Sequence, residues 1–205
     1  MKKIKTYLFD LGGVIVDLDY QKTINKFSDL GVSNANEMYN QFSQSGLFDK
    51  YEKGECTSNY FIDQLKAKTK IGVNKNQIIG AWNAMIGEFP IEKLELIAGL
   101  ASQKPCFLLS NTNEIHLEKV MKNLSKTPYI QLDSIFRKCF YSHLIGKRKP
   151  DVETFKWVLN QMGAAAEETL FIDDSPQHIE GAKNAGLQTV FYQKKEDLLR
   201  LKDQI

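Results

Sequence analysis

Five short apolar runs, at 6–9, 105–109, 138–141, 169–172 and 188–191, constrain this chain more than any other feature. Most carry β-branched or aromatic residues, and each reads as a buried strand. From Pro90 onward they alternate with helical patterns at 91–103, 114–124, 152–162 and 178–185. Gly163 and Gly186 follow two of these patterns as C-terminal caps would. Strands that alternate with helices build βαβ units, so the chain is expected to be α/β, with a doubly wound parallel sheet covered on both faces.

The interval between the first two strands breaks this rhythm. From about 20 to 88 it holds aliphatic and aromatic residues at helical spacing, in 24–30, 38–42, 61–65 and 78–86, with turn signals at Gly31, Gly46, Gly54 and Gly72. No convincing strand occurs there. The expected organisation is a core of 1–16 and 90–205 carrying an inserted, all-helical cap at 17–89. The hinges would fall at 16–19 and at Phe89-Pro90. Segments 46–48 and 51–55, which mix glycine, polar and aromatic residues, suit a loop facing the core and are the candidates for substrate contact, with packing between cap helices as the plainer reading of their aromatics.

Composition narrows the function classes. A chain of 205 residues fits one domain with a modest insertion. A net charge of +2 gives no electrostatic case for nucleic acid, although a small anion needs only one local positive site. Cys56, Cys106 and Cys139 are odd in number, widely spaced and free of any CxxC, which fits a reducing compartment. The basic start Met1-Lys2-Lys3 is not followed by a signal-peptide core, because Asp10, Asp17 and Asp19 interrupt the apolar run. Nothing approaches the ~20 apolar residues of a membrane span. The expectation is a cytoplasmic protein, monomer or weak dimer, acting on a small molecule.

Ligands of an open parallel sheet bind beyond the carboxyl ends of its strands, and chemistry-bearing residues stand there in this chain. The first run leads into Asp10-Leu11-Gly12-Gly13, a carboxylate followed by glycines that let backbone N–H groups approach an anion. The second leads into Ser110-Asn111-Thr112-Asn113, a hydroxyl and amides at a helix start. Lys149-Pro150 precedes the helix at 152, and the fourth run leads into Asp173-Asp174-Ser175. Adjacent carboxylates repel unless a cation or hydrogen bonds hold them, and Mg2+ takes one or two protein carboxylates with waters and phosphate oxygens. Each signal has a plainer structural reading: Asp10 ending a turn, Asn113 or Thr112 capping a helix, a solvated basic loop, Asp174 capping the helix near His178. The ordered set is more specific than its members. Walker A, GxGxxG and HExxH are absent, and His116, His143 and His178 lack zinc-type spacing, which makes each a surface or helix residue.

The set resembles the haloacid dehalogenase-like hydrolases, whose fold is a Rossmann-like sheet. Phe9-Asp10-Leu11-Gly12-Gly13-Val14, Leu109-Ser110-Asn111, Lys149-Pro150, and Asp173-Asp174 with Ile179-Glu180-Gly181-Ala182 look like its four motifs, and the helical insert sits where a small cap is carried. The branch it resembles includes bacterial glucose-1-phosphate phosphatases. The resemblance implies a phosphatase in which Asp10 attacks phosphorus and forms an aspartyl-phosphate. It implies Mg2+ held by Asp10, the Gly12 carbonyl and Asp174, with Asp173 binding directly or through water. Ser110 and the Asn111 amide would hold a phosphate oxygen, and Lys149 would neutralise charge on Asp10 and phosphate. The cap would exclude water and select the leaving group.

One position departs from that pattern. Phosphatases of this kind usually carry a second Asp two residues after the nucleophile, as general acid and base, and here that position is Gly12. Such help is worth ~10²–10⁴-fold. A good leaving group, such as the anomeric oxygen of a sugar 1-phosphate, or an acid from the cap would compensate. Three alternatives stand beside the phosphatase: a dehalogenase, which would leave Asp173-Asp174 unexplained; a phosphomutase, which needs the missing acid; and a binding protein without catalysis.

Overall fold

A computed structural model describes residues 3–35 and 46–193. Its centre is a five-stranded, all-parallel sheet in the order β3-β2-β1-β4-β5. The strands are β1 (Thr6–Phe9), β2 (Cys106–Ser110), β3 (Lys138–Tyr141), β4 (Thr169–Asp173) and β5 (Gln188–Phe191). β2 and β4 each run one residue beyond the ends expected from the apolar runs, because Ser110 and Asp173 still pair with their neighbours.

The helices of the insert are α1 (Tyr20–Asp29), α2 (Gly46–Glu52), α3 (Ser58–Lys66) and α4 (Lys75–Trp82). Those of the core are α5 (Ile91–Ala101), α6 (Glu114–Leu124), the single turn α7 (Ser142–Ile145), α8 (Val152–Met162) and α9 (Pro176–Asn184). Polar residues set their starts. Asp19, Thr57 and Asn113 each accept from a backbone N–H of the first turn, and Asn74 with Gln77 forms a reciprocal capping box. Gly163 closes α8 in the left-handed conformation, as its position in the sequence implies.

The central strands are buried on both faces, and the period of two sorts their side chains into two layers. Leu8, Phe107, Leu109 and Phe171 pack against Phe155 and Val158 of α8 and Ala182 of α9. Tyr7, Phe9, Leu108 and Ile172 face the other way, toward Leu94 and Ile97 of α5. That second cluster continues without a break into the insert, through Phe27, Phe48, Phe61 and Trp82. Phe48, Phe61 and Trp82 meet with ring centroids 5.0–5.4 Å apart, and Tyr51 stacks on Phe61 at 4.1 Å. Each such side chain contributes roughly 1.5–3 kcal/mol by leaving water, and this apolar interior holds the short helices in place.

The segments entering and leaving the insert pair with each other. Gly87 N–H donates to the Asp17 carbonyl at 2.8 Å, Asp19 N–H to Met85 at 2.9 Å, and Leu18 bridges Ile86 in antiparallel fashion. Two expectations for the insert are corrected. Residues 46–52 form helix α2 rather than a loop, since Phe48, Tyr51 and Glu52 are buried at helical spacing, and Gly46 begins that helix. The helical pattern at 78–86 ends at Trp82 and tightens into a 3-10 turn at Asn83–Met85. The pattern at 38–42 lies outside the described residues.

Candidate active site

The register of the sheet brings three strand ends together. Phe9 of β1 lies opposite Leu108 of β2 and Ile172 of β4, so Asp10, Ser110 and Asp173 emerge along one edge. Asp10, Gly12, Ser110, Asn111 and Asp174 line one cavity of about 80 Å3, and Arg148 and Glu52 line it as well.

Lys149 is the electrostatic centre. It is fully buried, with its ammonium 2.8 Å from Asp10 Oδ1 and 2.7 Å from Asp173 Oδ2. Burial works against the charged form, but the two carboxylates outweigh it and hold Lys149 above its usual range. The Asn111 side chain fixes that placement: its Nδ2 donates to the Lys149 carbonyl and its Oδ1 accepts from the Lys149 N–H, both at 2.9 Å. Sequence reasoning reserved only the Asn111 backbone amide for phosphate, and its side chain has this separate work. Below the loop, Gly181 of α9 lets the chain pass so close that an added Cβ would lie 2.1 Å from the Pro150 carbonyl. Gly181→Ala is therefore expected to destabilise the fold by about 1–3 kcal/mol and to lower kcat with it, by displacing Lys149. An unchanged Tm with full activity would refute that packing role.

The two adjacent acids have different surroundings. Asp173 is wholly buried; its Oδ1 accepts from the Ser175 N–H at 2.8 Å and lies 3.0 Å from His178 Nδ1. Burial works to raise its pKa, but Lys149 and the His178 ring outweigh it and hold the group at about 2. Asp174 faces the cavity, and burial, then the Asp173 charge, pushes it up to about 6. Burial also carries Asp10 above the carboxylate range, with Asp173 and Asp174 adding to it against Lys149. Asp174 is not a helix cap, since Ser175 holds that position with Pro176 in the first turn.

This charge pattern tests where a divalent cation fits. Asp10, Asp173 and His178 offer donor atoms within 4.8 Å of one another. That space is already served by the Lys149 ammonium, and both Asp173 oxygens are engaged. Of the two modes left open for Asp173, direct ligation or contact through water, these contacts favour the second. The other side of Asp10 suits a cation better: two carboxylates of raised pKa, Asp10 and Asp174, share the cavity with the Gly12 main chain. Asp174 Oδ2 sits so close over Gly13, at φ +77°, that a Cβ there would be 2.0 Å away. Two acids and a carbonyl leave positions for water and phosphate oxygens, as Mg2+ coordination requires.

Among the residues lining the cavity, Glu52 belongs to the segment 51–55 offered by the sequence for substrate contact, whereas Tyr20 carried no assignment. Glu52, at the end of α2, is buried and lies 2.9 Å from Arg148 Nη2, while Arg148 Nη1 reaches Asp49 at 2.9 Å. Tyr20, from α1, feels the Asp174, Asp10 and Glu52 carboxylates, which add to burial in raising its pKa. His116 stacks on Trp82 at 4.3 Å, and burial holds it neutral, at about 4. His178 orients Asp173; both histidines lie on helices, α6 and α9, as expected, and both are buried there. The missed signal was position: Glu52 follows buried Phe48 and Tyr51 at helical spacing.

A doubly wound sheet with acids, a hydroxyl and a buried lysine at the carboxyl ends of its strands, lidded by helices, is an α/β architecture suited to a small anionic ligand. Residues 4–186 match the sequence profile of the haloacid dehalogenase-like hydrolases. The chain belongs to that family. It is 30% identical over 186 residues to D-ribitol-5-phosphate phosphatase of Bacteroides thetaiotaomicron, across 91% of this chain and 90% of the relative. Among solved structures it is similar to a variant of an HAD family enzyme from the same organism, in complex with magnesium and inorganic phosphate. The TM-score is 0.91 at 34% identity, covering 97% of this chain and 98% of the other. A predicted HAD-like family hydrolase of Porphyromonas gingivalis gives a TM-score of 0.87 at 31% identity, with 99% and 98% covered. Among the described residues no helix is long and apolar enough to cross a membrane.

Proposed function

We propose that this chain is a Mg2+-dependent phosphatase of small sugar or polyol phosphates, working through an aspartyl-phosphate on Asp10. The observation that carries the reading is the Lys149 ammonium clamped between Asp10 and Asp173, with Asp174 turned into the same cavity. An enzyme that hydrolyses phosphoric monoesters needs a nucleophile and a means of balancing the dianion, and both are present. The likeness to a ribitol-5-phosphate phosphatase supports the substrate class. That relative's substrate is the ester of a primary alcohol, which is no better a leaving group than an ordinary alkoxide. Compensation for Gly12 is thus better sought in the cap than in an anomeric leaving group.

Asp10 Oδ1 is held by the Leu11 N–H at 2.7 Å and by Lys149, which leaves Oδ2 to attack phosphorus. Bond formation to Oδ2 breaks the P–O bond to the leaving group, which departs as an alkoxide and takes a proton from water; a second water then attacks phosphorus, returning the carboxylate and releasing phosphate. Ser110 Oγ and the Asn111 N–H hold a phosphoryl oxygen, and Lys149 balances charge on Asp10 and the phosphoryl group. Asp10, Asp174 and the Gly12 carbonyl would hold Mg2+, which, when bound, keeps both carboxylates ionised and offsets their repulsion of the dianion.

The test is a panel of sugar and polyol phosphates assayed for free phosphate with Mg2+ and with EDTA. Release that requires Mg2+ and leaves no isomeric phosphate is expected; an isomerised product would mean a mutase, and halide release surviving EDTA a dehalogenase.

The pH dependence of metal binding follows from the raised carboxylates. A group whose folded pKa is raised stabilises the metal-free fold below its unfolded value, near 4, and loses that contribution as pH rises through the folded value, about 6 for Asp174. Protons and Mg2+ thus compete for Asp174. Addition of Mg2+ is expected to raise Tm distinctly more at pH 7.5 than at pH 5, and an equal shift at both would contradict the assignment of Asp174.

A further inference from the structure

We propose that the buried Glu52–Arg148 pair reads the hydroxyl groups of the leaving alcohol, so that the substrate is a phosphomonoester with a neutral, polyhydroxylated leaving group; this rests on the phosphatase reading above. The pair joins two fixed points. Arg148 precedes Lys149, whose backbone is clamped by Asn111, so it stands at a set distance from Asp10. Glu52 ends α2, anchored by Phe48 and Tyr51 in the aromatic interior of the insert.

Both side chains line the cavity that holds Asp10, Ser110 and Asp174. Tyr20, Asp10, Asp174 and Glu52 all line this one chamber. With phosphorus at Asp10, an alcohol leaving in line extends away from the sheet, toward this pair.

The chemistry of the pair selects a partner. Arg148 spends Nη1 on Asp49 and Nη2 on Glu52, while its buried Nε–H donates to no acceptor among the described residues. A buried donor gains a full hydrogen bond from any oxygen brought to it. A hydroxyl supplies both halves, its oxygen accepting from Arg148 and its proton going to the Glu52 carboxylate, and charge-assisted bonds of this kind are strong. An apolar alcohol would leave the pair desolvated without new bonds, and one bearing a second anion would be repelled by Glu52.

The experiment compares kcat/KM for an acyclic polyol phosphate and for phenyl phosphate, in the wild-type chain and in Glu52→Gln, Asp49→Asn and Asp10→Asn. The wild type is expected to prefer the polyol ester. Glu52→Gln should reduce that preference by about tenfold to a hundredfold, mainly through KM, whatever it does to activity overall. Asp49→Asn, which removes the Arg148 partner outside the cavity, should shift the ratio less than twofold. Glu52→Asp, which keeps the charge and withdraws it by one methylene, should give an intermediate ratio and serves if Glu52→Gln does not fold. Parallel loss on both esters in Glu52→Gln, or an equal ratio change in Asp49→Asn, would mean the pair only seats the insert and would overturn the proposal. Phosphate release that persists in Asp10→Asn would instead overturn the phosphatase reading itself, and this inference with it.

Discussion

Asp10→Asn is expected to lower kcat for phosphate release by at least on the order of 10⁴-fold while leaving the fold as stable as before. The loss follows from the role given to Oδ2: an amide cannot attack phosphorus, and when residues act as one unit, removal of the nucleophile forfeits almost the whole chemical contribution. Stability is spared for a separate reason. Asp10 is a buried acid whose pKa burial and two neighbouring carboxylates have raised, so its charge is a cost to the folded state near neutral pH. The amide removes that cost, and Lys149 keeps Asp173 as its counter-ion at 2.7 Å. Steady-state assays paired with thermal melts check both halves. A variant that keeps a tenth of its activity would remove Asp10 from the nucleophile's role.

Lys149→Met should do the opposite and damage both properties. The ammonium is fully buried, and its removal leaves Asp10 and Asp173 facing one another with no cation between them. Breaking a buried pair by removing one partner costs about 3–5 kcal/mol. The cost depends on pH in a defined direction. In the wild-type chain Asp173 is held at about 2, so it stabilises the fold above its unfolded value, near 4, and loses this as pH falls toward 2. Without Lys149 that contribution disappears. Urea titrations should therefore show a large deficit at pH 7 that narrows by pH 2. A deficit of equal size at both values would show that Lys149 acts through packing alone.

Most of the sheet was legible in the sequence because strands buried on both faces cannot afford polar residues, and their runs end where the chain meets ligand. The strand ends and their residues, Asp10, Ser110, Lys149 and Asp173-Asp174, could be read for that reason. What could not be read was direction. Two adjacent acids look equivalent on paper, yet Asp173 turns inward to Lys149 and His178 while Asp174 turns to the cavity. The difference arises from the start of α9, where the Ser175 N–H takes Asp173 Oδ1 at 2.8 Å. The insert was legible as helices, because aromatic spacing shows a buried face, but α2 was not. Its buried face rests on Phe48 and Tyr51, whose contacts with Phe61 and Trp82 are made only in the fold. Glu52 stood within a segment offered for substrate contact, but its pairing with Arg148 was not legible, because it spans 96 positions and depends on how the insert is seated.

The pairing of the two crossing segments has a consequence for modularity. Asp17 and Gly87 meet at 2.8 Å, so everything between them is a closed excursion that leaves the sheet and returns to the same spot. A short turn could bridge that gap, which makes the insert exchangeable without altering the order in which strands are laid down. Descent could thus swap one selector for another over an unchanged reactive centre, at the cost of re-covering the apolar surface that Trp82 and Phe48 now hide.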